Sequence, residues 1–146
     1  MKIINNNVKL SDNVKELLNF LKFSFKFNSN KKVLFSLINK KKENMYDILI
    51  DINSSEDSNF IIIDEKIICD NYDTCIIITE DLLLELYCQG ASIYNVFKKY
   101  MSGEFKTKKF SYKKFNGFLS NFNFTEEYWN DFYTLQHNLN SKIDHD

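Results

Sequence analysis

Apolar positions recur every three or four residues near the start of the chain, and this spacing predicts a helix over residues 11–27. Ser11 or Asp12 can cap it, because short polar side chains accept hydrogen bonds from the first free amides of a helix. The apolar face is formed by Val14, Leu17, Leu18 and Leu21. An Asn-Ser-Asn run at residues 28–30 then ends the helix.

Short runs of β-branched and aromatic residues follow, and they are separated by polar loops. Such runs are typical of strands. We predict strands at residues 33–38, 45–52, 60–63 and 74–78, with residues 67–69 as a continuation of the third. Because the connections are short and polar, we expect antiparallel hairpins rather than strand–helix–strand crossovers.

The second half of the chain returns to helical spacing. Thr79 caps a predicted helix that stops at Gly90, since glycine readily adopts the backbone conformation that closes a helix. A second helix begins at Ala91 or Ser92 and is broken by Gly103. A strand over residues 105–110, an amphipathic helix over 112–122 and a last helix over 126–139 complete the pattern.

These elements predict an α+β fold: a sheet of about five strands, antiparallel or mixed, covered on one face by helices. The helix after Thr79 is apolar around most of its circumference, which indicates burial on two sides. Its apolar residues are Leu82, Leu83, Leu84, Leu86, Tyr87 and Cys88. One side can meet the sheet, and the other can meet a ligand or simply another helix.

Composition supports one globular domain over residues 1–146, with 44% hydrophobic and 27% charged residues. The 14 Phe and 8 Tyr point either to a core of large rings or to a lined cavity. The net charge of −1 provides no global attraction to nucleic acid, and without arginine there is no bidentate phosphate clamp. We therefore expect no nucleic-acid partner.

Candidate catalytic and metal-binding residues are sparse. Cys69, Cys75 and Cys88 lie in apolar runs, so we expect them to be buried and inert. His137 and His145 are the only histidines, and no ligand spacing typical of zinc occurs. We expect no enzyme activity, no metal and no cofactor. An odd number of cysteines, with no apolar segment of signal-peptide or membrane-spanning length, favours a soluble protein in the cytoplasm.

Two stretches resemble the sterol carrier protein type-two domain family: "CIIITEDLLLELYCQG" and "NVFKKYMSGEFKTKKF". The family shows a strand ending in a Ser/Thr cap, a helix stopped by Gly, and a helix leading into a Ser-Gly turn and strand. The resemblance covers about residues 12–122 and leaves the last helix, about 125–139, outside it. The match departs from the family where Lys109 or a neighbour replaces a second Gly, and at Thr107, where an aliphatic residue is usual.

The resemblance implies an apolar tunnel between the sheet and the helices that holds a lipid, a fatty acyl chain or a sterol-like molecule. We expect ten residues to contact this ligand: Leu83, Leu86, Tyr87, Val96, Phe97, Tyr100, Phe105, Phe115, Trp129 and Phe132. Family members also act as accessory subunits. A protein-interaction subunit with the same fold and a filled core is therefore the alternative function, and a small enzyme is a weaker one.

Two further features leave alternatives open. The aromatic face of the last helix can be a lid over the tunnel, part of the core, or a patch through which a homodimer forms. The lysines at residues 40–42 and 106–114 favour solvated surfaces. Transient contact with lipid headgroups at a membrane surface is the next alternative for the second cluster.

Overall fold

The computed structural model describes the backbone of residues 1–144 and the side chains of residues 1–137. Within this range the strands are β1 (Lys2–Asn5), β2 (Lys31–Ile38), β3 (Asn44–Ile52), β4 (Phe60–Asp64), β5 (Thr74–Thr79) and β6 (Lys106–Lys108). The α-helices are α1 (Asp12–Ser24), α2 (Glu80–Cys88), α3 (Ile93–Met101), α4 (Tyr112–Leu119) and α5 (Glu126–Asp144). The α+β fold class is confirmed.

The strands form one mixed sheet in the order β1-β4-β3-β2-β5-β6. Strands β2, β3 and β4 make an antiparallel meander, and β6 runs antiparallel to β5. The other two pairings are parallel, β1 with β4 and β5 with β2. The sheet therefore has both open edges occupied by short strands, β1 and β6, which limits the length of unpaired backbone.

The expectation that residues 33–78 are antiparallel throughout is wrong for β5. After β4 the chain does not turn back in a hairpin but crosses to the far side of β2, where β5 enters parallel to it. Residues 65–73 make this crossing without helix or strand structure. Residues 67–69 are consequently not a continuation of the third strand.

Strand β1 is a sixth strand that the sequence did not predict. Its four residues include two polar ones, and only Ile3 packs against the main core. It pairs with β4 over its whole length, from Lys2 opposite Phe60 to Asn5 opposite Ile63. This short edge strand has one pairing partner and most of its side chains are exposed, so its sequence shows no clear alternation of apolar residues.

Helices α1 and α2 begin where short hydroxyl side chains close their first turns. The hydroxyl of Ser11 accepts from the amide of Val14 at 3.3 Å, and that of Thr79 accepts from the amide of Leu82 at 3.3 Å. Helix α2 ends before Gly90, whose φ of 84° is unstrained only for glycine. These contacts confirm Ser11 and Thr79 as caps. The first helix is shorter than predicted, since it ends at Ser24.

The two faces of the sheet are covered differently. The helices bury the inner face, where Ile48, Ile50 and Ile76 are each 2% exposed. On the outer face, residues 65–73 cover a smaller apolar cluster built on Leu34, Leu49 and Cys75. The buried carboxylate of Asp47 holds this segment in place. It accepts from the amide of Ile67 at 2.9 Å and from the hydroxyl of Ser36 at 3.0 Å.

Asn121 joins the end of α4 to the loop between α1 and β2. Its fully buried side chain accepts from the amides of Asn28 and Ser29 at 2.8 and 2.9 Å. Its own amide group donates to the carbonyl oxygens of Gly117 and Phe118, both at 3.2 Å. All of its polar atoms are thus paired inside the protein.

We predict that Asn121→Ala lowers the free energy of unfolding by about 2–3 kcal/mol. The substitution leaves two partly buried backbone amides without an acceptor and creates a small void. Urea unfolding followed by circular dichroism measures the change. Asn116→Ala, at an exposed position of the same helix, is the matched control and should cost under about 1 kcal/mol. Equal losses in the two variants would contradict the role given to Asn121.

Candidate functional site

A cavity lies between the inner face of the sheet and helices α1 to α4. Its floor is formed by side chains of three central strands: Phe35, Ile48, Ile50, Ile76 and Ile78. These residues share one face of the sheet because β2, β3 and β5 are neighbours and side chains alternate between faces. The floor is therefore a continuous branched aliphatic surface with one aromatic ring.

The walls of the cavity come from the helices and from the turns that follow them. Helix α1 contributes Leu17, Leu18 and Leu21. The opposite wall, from α2 to the start of β6, contributes Leu83, Leu86, Tyr87, Ala91, Val96 and Phe105. The remaining side is aromatic, from α4 and the segment after it: Phe115, Phe118, Leu119, Phe122 and Phe124.

The cavity volume is about 70 Å³. A water molecule takes up about 30 Å³ of liquid, whereas pockets for drug-sized ligands hold roughly 300–1,000 Å³. As it stands, the space admits a very small apolar molecule and not a long acyl chain. A larger ligand requires the surrounding side chains or helices to move apart.

Tyr87 is the one lining residue with a polar side-chain atom. Its ring is 3% exposed, and its hydroxyl is buried with no hydrogen-bond partner among the described residues. Burial raises the pKa of this phenol, and the nearby Tyr133 and Glu16 raise it further. The group stays neutral at physiological pH, so it can donate one hydrogen bond. No lining residue carries a charge.

Six of the ten residues predicted to contact a ligand line this cavity: Leu83, Leu86, Tyr87, Val96, Phe105 and Phe115. The structure brings them together from α2, α3, α4 and the turn before β6. Their contact with a ligand remains a prediction. The sequence missed the contribution of α1 and of the strands, although the apolar face of residues 14–21 was visible as a periodic pattern.

The other four predicted residues lie outside the cavity lining. Phe97 is 37% exposed and meets Tyr112 edge-on, with ring centroids 5.5 Å apart. Tyr100 stacks on Phe110 at 4.6 Å. Neither residue lines the cavity, which corrects their expected placement, although the Tyr100 ring lies 5.9 Å from that of the lining residue Phe105.

Trp129 and Phe132 of α5 lie behind the cavity wall rather than on it. The Trp129 ring stacks on Phe20 at a centroid distance of 4.3 Å and lies 4.5 Å from Tyr87. Phe132 meets Phe20 edge-on at 5.4 Å. Because Tyr87 lines the cavity and touches Trp129, α5 is one residue layer away from the space that it was expected to border.

The candidate reactive side chains do not form a site in the described part of the chain. The three cysteines are free. Cys75 is buried, and burial raises the pKa of its thiol, whereas Cys69 is half-buried. Cys88 is exposed, which corrects the expectation that it is buried. It is the last residue of α2.

His137 is exposed on α5, and His145 lies outside the described residues. Among the side chains of residues 1–137, no three or more of His, Cys, Asp or Glu approach one another closely enough to hold a metal ion. None of the helices described is both long and apolar enough to cross a membrane.

The predicted lysine cluster at residues 106–114 is divided between two surfaces. Lys109 reaches the segment that covers the outer face, where its ammonium lies 4.9 Å from the centroid of the Tyr72 ring. It also donates to the carbonyl oxygen of Asp70 at 3.2 Å. Lys113 and Lys114 are exposed on α4 instead. The cluster is therefore not one continuous basic surface.

The fold is similar to that of a distantly related solved structure. A solved structure of "Sterol Carrier Protein 2 from Yarrowia Lipolytica (apo form)" is similar to 75% of this chain and 74% of that chain, with a TM-score of 0.46 and 17% sequence identity. No protein-family model matches the chain. No curated protein matches it either.

The unpaired hydroxyl of Tyr87 gives a test of the site's polarity. We predict that Tyr87→Phe raises the free energy of unfolding by about 1 kcal/mol, because it removes a buried polar group that has no partner. The measurement is urea unfolding in ligand-free buffer.

Tyr46→Phe is the matched control, since Tyr46 is also 3% exposed but its hydroxyl donates to Glu80 at 2.5 Å. It should lower the free energy of unfolding by about 1–2 kcal/mol. A Tyr87→Phe protein that is destabilised as much as Tyr46→Phe would show that the Tyr87 hydroxyl has a partner.

Proposed function

We propose that this protein binds an apolar ligand, such as a lipid, a fatty acyl chain or a sterol-like molecule, between its sheet and its helices, and that it performs no chemical step on it. The observation that carries the proposal is the cavity itself. Its walls are apolar on every side, from the isoleucines of the sheet to the phenylalanines of α4. Such a lining binds by removing hydrocarbon from water, at about 0.8 kcal/mol for each methylene group buried.

Binding a long chain requires the cavity to widen. At about 70 Å³ it has room for only a few carbon atoms, so most of the ligand must replace side chains that now fill the space. The candidates for movement are the rings of Phe118, Phe122 and Phe124, which meet at centroid distances of 5.5 Å, edge to face, and 6.1 Å, tilted. Rotating rings costs less than separating the hydrogen-bonded strands of the floor.

The charge distribution limits what kind of head group can enter. The lining offers no cation to a carboxylate or phosphate, and an unpaired buried anion is strongly unfavourable. The proposal therefore places the apolar part of the ligand inside and any charged group at the surface.

The family resemblance supports the same function. The two stretches that carry it supply α2, α3 and β6, and through them Leu86, Val96 and Phe105 of the cavity wall. Lys109, where the family has a second glycine, adopts a left-handed φ of 56°, the conformation that favours glycine. We propose on this basis that residues 1–146 form one sterol-carrier-like domain, and its three free cysteines suit the cytoplasm.

The small cavity volume favours a second candidate, an interaction or accessory subunit in which the same fold has a filled core. In that case the inner face of the sheet is closed by packing alone, and partners bind at the outside. The two candidates differ in one respect: only a carrier loses its function when the cavity is filled by mutation.

The first test therefore fills the cavity. We predict that Val96→Phe lowers the affinity for hexadecanol about tenfold or more, because the added ring takes the space of about two methylene groups. Isothermal titration calorimetry measures the affinity. Ile68→Phe adds the same ring at a position that is 89% exposed and should leave binding unchanged.

Circular dichroism must show that both variants are folded. If the parent protein binds neither hexadecanol nor palmitic acid, the carrier function is rejected and the accessory subunit is favoured. Binding that is unaffected by Val96→Phe would place the ligand elsewhere.

The second test concerns α5 as a gate. Trp129 is the only tryptophan and touches Tyr87 of the cavity wall, so entry of a ligand should shift its fluorescence emission. We predict that truncation before Thr125 weakens hexadecanol binding severalfold and leaves the sheet folded by circular dichroism. Unchanged emission at saturating ligand, with full affinity after truncation, would show that α5 is a structural or dimerising element.

A further inference from the structure

Helix α3 carries apolar residues on two adjacent faces, and only one of them is buried. Val96 points into the protein and is 4% exposed. Tyr94, Phe97 and Met101 follow one another at intervals of three and four residues and are 68%, 37% and 67% exposed. Since residues at this spacing share a helix face, they form an outward-facing apolar stripe.

Tyr112 at the start of α4 extends this stripe. Its ring meets Phe97 edge-on at 5.5 Å and is 47% exposed. Tyr94, Phe97, Met101 and Tyr112 are called the α3 patch here. Four large side chains grouped on one surface are more than the scattered exposed apolar residues that every protein has, and such groups mark interaction sites.

Lysines accompany the α3 patch. Lys98 lies one turn after Tyr94 on the same face of α3, and Lys113 and Lys114 directly follow Tyr112. All three are exposed, and none forms a salt bridge with another described residue. Residues 89–124 contain seven lysines and a single acidic residue, Glu104, although Lys109 is directed toward the segment that covers the outer face of the sheet.

The one acidic residue does not offset this charge at the patch. Glu104 is engaged by Lys99, whose ammonium lies 3.2 Å from its carboxylate and also 3.6 Å from that of Glu85. Lys99 is thus paired on the side of α3 that faces α2. The lysines beside the α3 patch remain available to an outside partner.

We propose that the α3 patch docks this protein on the surface of an anionic lipid bilayer. Phe97 and Met101 can enter the boundary of the acyl region, while tyrosine rings favour the headgroup level because their hydroxyls stay hydrated. Long lysine side chains lie along the apolar surface with their ammonium groups at the phosphates. Apolar insertion and attraction to anionic lipid act together in such surfaces.

The position of the patch relates docking to the cavity, although docking does not depend on the proposed function. The buried side chains of Val96 on α3 and Phe115 on α4 line the cavity. A protein docked through the α3 patch would therefore hold its cavity one helix away from the bilayer. Vesicle binding and ligand binding can succeed or fail separately, because the first uses exposed side chains of these helices and the second uses buried ones.

The test is co-sedimentation of the full chain with vesicles of phosphatidylcholine alone and with 30% phosphatidylserine. We expect binding to the anionic vesicles at low salt and weaker binding at 0.5 M salt. Lys98→Gln/Lys113→Gln/Lys114→Gln should lower the partition coefficient about a hundredfold, at roughly fivefold for each lysine near an anionic surface. Tyr94→Ser/Met101→Ser should lower it tenfold or more.

Matched controls come from exposed positions elsewhere. Lys40→Gln/Lys41→Gln/Lys42→Gln removes the same charge from a turn, and Ile68→Ser removes an apolar side chain that is 89% exposed. Both should bind vesicles as the parent does. The proposal is overturned if the parent binds neither kind of vesicle, or if patch and control variants lose binding equally. It is also overturned if the patch variants change only self-association in sedimentation velocity, or only binding to single-stranded RNA.

Discussion

The covering of one sheet face by aromatic helices is the constraint on which the rest of this structure depends. The inner faces of β2, β3 and β5 are apolar from end to end, and leaving them in water would cost roughly 25 cal/mol for each Å² exposed. Helices α1, α2 and α4 remove that face from water. Much of their contribution is made by rings, including Phe115, Phe118 and Tyr87, which lie against branched aliphatic side chains.

The aromatic rings of the helices pack on branched aliphatic side chains of the sheet, and this explains why the helices leave a space over the inner sheet face. Flat side chains that are fixed in tilted arrangements cannot fill every gap between methyl groups, so an apolar space remains. Elsewhere the aromatic packing is close, above all around Phe20, which is fully buried and stacked on Trp129. The cavity adjoins this aromatic layer, and Tyr87 connects the cavity wall to Trp129 of α5.

The sequence predicted those elements in which local signals and tertiary packing agree. Helix α2 combines a Thr79 cap, an apolar circumference and a terminal Gly90, and each of these was found as expected. The parallel pairing of β5 was not predictable from loop composition, because it depends on Asp47 holding the covering segment across the outer face. Strand β1 has too few apolar residues to be distinguished from a loop.

The cavity residues on helices could be predicted from the sequence, whereas those on strands could not. Leu86 and Val96 belong to helices whose buried face was clear, whereas the floor required the strand order, which no sequence pattern gives. Phe97 was misplaced because α3 carries apolar residues on both faces, and periodicity alone cannot tell an inward face from an outward one. That ambiguity is itself informative, since the second face is the exposed α3 patch.

Native mass spectrometry can show directly whether the space beneath the helices holds an apolar molecule. The freshly purified chain is measured before and after incubation with a total lipid extract, under gentle and then stronger activation. We expect a noncovalent adduct of one lipid per chain. Stronger activation should remove this adduct, and Val96→Phe should greatly reduce its abundance. A spectrum that shows the bare polypeptide alone, even after incubation with lipid, would contradict this expectation.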